Sequence, residues 1–146
     1  MLNLAEIIPK LKDFFSKDEK VLAVYVFGST IEGYAHPGSD LDLAILFKDT
    51  ISLYDELTYQ SRLSELINFE QVDILNLNKA PIRLQFTVVS TGQLIYEADQ
   101  LAVSDYLENL FCQYHDQAYR YYQFFKDWDE GLKEDYANDQ SRQNPS

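Results

Sequence analysis

The 146-residue sequence predicts a single α/β or α+β domain. Two observations carry this: stretches of helical periodicity alternate with short apolar runs of strand length, and no internal repeat or linker divides the chain. A third is composition, with 46% hydrophobic and 25% charged residues, which suits one ordinary core.

The elements follow in order. Leu4, Ile7, Ile8, Leu11, Phe14 and Phe15 recur at helical spacing, so residues ~3–16 read as an amphipathic helix, with Pro9 kinking or offsetting its first turn. Residues 21–27 are apolar, β-branched and aromatic, which predicts a buried strand ending at Gly28-Ser29. Residues 29–34 predict a short helix or turn, and residues 35–39 a loop on turn chemistry. A second strand spans 41–47. Leu53, Leu57, Leu63, Leu66 and Ile67 predict a helix over ~52–68, with a gap in its apolar face near Gln60. A third strand covers 72–77. Residues ~80–90 fit either a strand or a helix, and 93–97 read as a short strand after the Thr91-Gly92 turn. From ~101 a long aromatic-rich helix begins, with Leu107, Leu110, Phe111, Tyr114, Ala118, Tyr121, Tyr122 and Phe125 on one side. Past Trp128 the chain is acidic and polar, so residues 1–128 are expected to form the domain and 129–146 a frayed or disordered tail.

Charge and cysteine content narrow the function. Twelve Lys and Arg stand against 24 Asp and Glu, a formal net charge of −12. Nucleic-acid binding is driven largely by neutralising phosphates with cations, so a chain this acidic is a poor candidate for a broad nucleic-acid surface. A nucleotide escorted by a divalent metal, or a basic protein partner, remains compatible. The sole cysteine, Cys112, rules out an intramolecular disulfide and a cysteine zinc site. The segment Met1-Leu2-Asn3-Leu4-Ala5-Glu6 lacks a secretory signal pattern, and no run has the ~18 apolar residues of a membrane span. A cytoplasmic protein is expected.

One constellation carries chemistry. Gly28-Ser29 closes the first strand, a ten-residue spacer follows, and Asp40-Leu41-Asp42 opens the second. Side chains alternate along a strand, so Asp40 and Asp42 share a face. Two adjacent carboxylates repel, and a hard divalent cation such as Mg²⁺ removes the conflict. Asp73, in the otherwise apolar third strand, is the natural third carboxylate, holding a second metal and accepting a proton from an incoming hydroxyl. Gly28 lets backbone approach a ligand closely, and Ser29 with nearby amides can donate to phosphate oxygens. The predicted reaction is in-line attack on the α-phosphorus of a nucleoside triphosphate, with pyrophosphate leaving. Against this stands a bland alternative, in which Asp40 begins a strand, Asp42 faces solvent and Asp73 lies on a sheet edge.

The segment Phe27-Gly28-Ser29-Thr30-Ile31-Glu32-Gly33-Tyr34-Ala35-His36-Pro37-Gly38-Ser39-Asp40-Leu41-Asp42-Leu43 resembles the signature of polymerase-β-type nucleotidyltransferases. The short length is similar to the minimal (MNT) branch, antitoxins paired with HEPN-domain RNase toxins in type VII-like toxin–antitoxin pairs. The resemblance covers residues ~1–125 and implies a mixed sheet flanked by helices. It implies Asp40, Asp42 and Asp73 as catalytic, metal-holding residues for two Mg²⁺ ions, with Gly28 and Ser29 at the phosphates. It also implies ATP as donor and a tyrosine of the toxin as acceptor, so that AMPylation silences the toxin. Relatives commonly carry Ala-Arg where this chain has Ile31-Glu32; an arginine there would help neutralise triphosphate, which a glutamate does not.

Two competing functions remain at this level. One keeps the chemistry with a small-molecule acceptor, as in aminoglycoside nucleotidyltransferases, although those relatives are usually larger. The other is a non-catalytic antitoxin that masks the toxin through the aromatic helix. Residues Tyr106 to Trp128 weigh evenly between core and interface, and Cys112 is expected in one of those two settings. His36 could touch nucleotide or face solvent, and His115 packs or is exposed.

Overall fold

A computed structural model of the chain describes residues 4–28, 41–69 and 71–143. Its elements are α1 (Leu4–Ser16), β1 (Val21–Phe27), β2 (Leu41–Phe47), α2 (Leu53–Ile67), β3 (Val72–Asn76), α3 (Ile82–Thr91), β4 (Gln93–Glu97) and α4 (Gln100–Gln143). The strands form one mixed sheet in the order β3-β2-β1-β4. β1 runs antiparallel to both β2 and β4, while β2 and β3 are parallel. A parallel pair needs a long crossover, and α2 supplies it. The expected α+β arrangement with a mixed sheet is what forms.

The sheet is covered on both faces, which is why β1 and β2 are near-continuous apolar runs. On one face Ile7, Leu11 and Phe15 of α1 and Tyr59 and Leu63 of α2 pack on Val24, Val26, Leu43 and Ile45. On the other, Val88 of α3 and Val103 of α4 pack on Ala23, Tyr25, Ala44 and Leu46. The ambiguous stretch becomes helix α3 because Gln85 and Val88 are buried three apart; Leu84, which an alternating strand would bury with its neighbours, is exposed.

Helix α2 is capped at both ends. The Ser52 hydroxyl accepts from the Asp55 N–H at 3.1 Å, and Asn68 ends the helix in the left-handed region at φ 52. The apolar gap at Gln60 has a purpose: its side-chain amide donates to the Val72 carbonyl of edge strand β3 at 3.0 Å. Asn78 ties the opposite end of the sheet, accepting from the Phe47 N–H at 2.8 Å and donating to the Phe47 carbonyl at 2.9 Å.

The chain divides into two compact units, one ending at Leu110 and the other beginning at Phe111. Within the second unit the helix continues past Trp128 to Gln143. Helix formers such as Leu132, Glu134, Ala137 and Arg142 outnumber the lone Gly131, and the next proline is Pro145. Tyr119, Tyr122, Phe124, Phe125 and Trp128 are all well exposed, with Trp128 61% accessible. These aromatics are therefore surface and not core. Cys112 and His115 are exposed as well. Among the described residues, no helix is long and apolar enough to cross a membrane.

Candidate functional site

Strand register brings distant parts of the sequence together. Phe27 pairs with Asp42 across β1 and β2, and Asp42 pairs with Asp73 across β2 and β3. The next row inward is Tyr25, Ala44 and Leu75, which belongs to the core on the α3 side. Alternation then places the Asp42 and Asp73 side chains on that same face, one row beyond its apolar edge. The Leu41 N–H donates to the Gln71 carbonyl at 2.8 Å, which locks the β2–β3 register directly beside the two aspartates.

Neighbouring strands lie about 5 Å apart, so the two carboxylates face one another at close range. Like charges in register destabilise a sheet unless something offsets them. Asp42 is half-buried and Asp73 is exposed. Asp73 is open to solvent because β3 is the edge strand, the placement that the bland alternative expected for it. What singles out Asp73 is its register with Asp42.

Gly28 completes the cluster. It leaves β1 at φ 84, a left-handed conformation that side chains rarely adopt. A Cβ at Gly28 would overlap the Asp42 carboxylate oxygen Oδ2 and stand 3.3 Å from its Cγ. The glycine is required on two counts, by its dihedral and by the acid lying against it.

Of the five residues predicted to form the site, Gly28, Asp42 and Asp73 converge. Ser29 and Asp40 lie outside the described residues, as do Glu32 and His36. Among the described residues, no group of three or more His, Cys, Asp or Glu converges on one point. One neighbour was missed from sequence. Gly92, read only as part of a turn, packs its backbone against the Val26 carbonyl and Phe27 at the end of β1. A turn signal at 91–92 cannot reveal which strand the turn will touch.

A large open cavity of about 860 Å³ lies elsewhere, between α1 and α2, lined by Phe14, Lys17, Asp18, Tyr54, Tyr59 and Arg62 among others. The Asp18 carboxylate there is engaged by the Tyr59 hydroxyl and, at 2.9 Å, by the Lys20 N–H. Lys17 pairs with Asp13 at 3.2 Å. The aspartate pair lies on the opposite face of the sheet.

Residues 9–101 match the family profile described as Polymerase beta, Nucleotidyltransferase. Protein adenylyltransferase MntA of Shewanella oneidensis is 30% identical over 99 residues, covering 68% of each chain. A chain of a toxin–antitoxin crystal structure with AMP-PNP superposes with a TM-score of 0.64 at 29% identity, over 82% of this chain and 93% of that one. A chain of the tri-AMPylated Shewanella oneidensis HEPN toxin in complex with MNT antitoxin gives 0.57 at 25% identity, over 80% and 87%.

Proposed function

The chain belongs to the polymerase beta nucleotidyltransferase family, and from that premise we propose that it transfers AMP from Mg-ATP to a tyrosine of a HEPN-type RNase toxin, acting as the toxin's antitoxin. The observation that carries the reading is the Asp42–Asp73 pair in register, with Gly28 turned against the Asp42 carboxylate. Two side-by-side carboxylates are hard oxygen donors that suit Mg²⁺, and their mutual repulsion is relieved by such a cation. Asp42 and Asp73, together with Asp40, would hold two ions, whose chemistry is to neutralise the triphosphate and the departing pyrophosphate. The positive-φ turn at Gly28 would let backbone approach the phosphates, and the Ser29 hydroxyl would donate to their oxygens. Asp73 takes the proton of the acceptor hydroxyl as its oxygen bonds to the α-phosphorus. The α–β bridging bond breaks, and pyrophosphate leaves with the electron pair. ATP as donor, and a toxin as acceptor, are supported by relatives seen with AMP-PNP and with a tri-AMPylated HEPN toxin.

A second reading keeps the partner and drops the chemistry. The exposed aromatics Tyr122, Phe124, Phe125 and Trp128 suit a protein interface, through which the chain would mask the toxin. Labelled ATP, Mg²⁺ and the candidate toxin distinguish the two. Label on the toxin that disappears with Asp42→Asn supports transfer, while neutralisation without label refutes it in favour of masking.

A further inference from the structure

Gly92 joins α3 to β4 with φ −81 and ψ 173, an extended backbone open to any residue. Conformation therefore does not explain the glycine; space does. A Cβ at Gly92 would stand 2.6 Å from the Val88 carbonyl oxygen, 2.9 Å from the Val26 carbonyl oxygen and 3.2 Å from the Phe27 Cβ. The first of these is the carbonyl to which the Gly92 N–H donates at 2.7 Å, so the junction is already drawn tight against the last turn of α3. The other two belong to the last residues of β1.

Those residues lead straight into the site. Val26 pairs with Gln93 on one side, Phe27 pairs with Asp42 on the other, and Gly28 follows next in the chain. We propose that Gly92 is a positioning residue for nucleotidyl transfer: its bare backbone sets where β1 ends, and so where Gly28 meets the Asp42 carboxylate. The inference rests on the transferase reading above.

An added methyl would have to push something aside. Val88 and Val26 are both fully buried, so neither the end of α3 nor the body of β1 yields easily. The permissive joint on this path is Gly28, which has no Cβ and already sits at positive φ. Displacement entering at Phe27 is therefore absorbed at Gly28, against Asp42.

Gly92→Ala tests this, with Thr91→Ala, an exposed neighbour, as control. The measurements are kcat for AMP transfer per folded molecule, and the backbone amide resonance of Gly28. Gly92→Ala is expected to lower kcat by about 10–100-fold while melting cooperatively, and to move the Gly28 resonance; Thr91→Ala changes neither. Wild-type kcat with an unmoved Gly28 resonance would overturn the proposal. So would a loss of activity that matches the unfolded fraction, or failure to fold, since Gly92 would then be a folding residue only. If the wild-type chain transfers no AMP to the toxin, the functional reading fails by itself. The coupling is then judged by the Gly28 resonance alone, where movement supports it and no movement overturns it.

Discussion

Gly28→Ala probes the site with a single methyl. At φ 84 an alanine bears the left-handed penalty of about 1–2 kcal/mol. For a domain of this size that lowers the melting temperature by about 2–8 °C. The larger effect is local. The new Cβ overlaps Asp42 Oδ2 and sits 3.3 Å from Cγ and 3.5 Å from Cβ of the same residue. Carbon–oxygen contact at ordinary van der Waals separation requires the carboxylate to retreat by about 1 Å. A misplacement of that size in a reacting group costs about 100-fold in rate. Transfer of labelled AMP to the toxin, normalised to folded protein by circular dichroism, should therefore fall about 100-fold while most of the protein stays folded. A variant that melts like the wild type and transfers AMP at the wild-type rate would refute the reasoning. So would a rate loss no greater than the loss of folded molecules.

Three further outcomes follow from the same geometry. Burial raises the ionisation of the Tyr25, Tyr59 and Tyr106 phenols above the ordinary tyrosine value; Glu97 adds to the effect at Tyr25, Asp18 at Tyr59, and Tyr25 at Tyr106. An acid whose folded pKa is raised stabilises fully below its unfolded value, so the urea midpoint should hold up to pH ~10 and decline above it. A midpoint unchanged to pH ~11.5 contradicts this. Asn78→Ala leaves the Phe47 N–H and carbonyl without their side-chain partner and should cost about 1–3 kcal/mol, read by chemical denaturation; Asn78→Asp keeps the acceptor but sets a carboxylate oxygen against the Phe47 carbonyl, and should cost at least as much. Trp128→Ala should weaken the complex with the toxin by at least about 30-fold in titration calorimetry while leaving the melting temperature unchanged.

Local chemistry wrote much of the molecule into the sequence. The apolar runs 21–27 and 41–47 are strands because both sheet faces are covered, and Ser52 and Asn68 bound α2 through short-range bonds. Gly28, Asp42 and Asp73 could be picked out because their residue types conflict with an ordinary strand end, where acids repel and glycine weakens. Periodicity could not separate helix from strand at 82–91, since that choice depends on which side chains find the core. Nor could it place Tyr119, Tyr121, Tyr122, Phe124, Phe125 and Trp128, which lie in an aromatic helical stretch but stay exposed. Sequence spacing named the acids; only tertiary register set Asp73 opposite Asp42, because strand pairing joins residues thirty-one apart and no local preference encodes it. The need for a glycine at 92 belongs to the tertiary structure too: it arises where a turn meets the end of a strand sixty-five residues earlier, around Phe27.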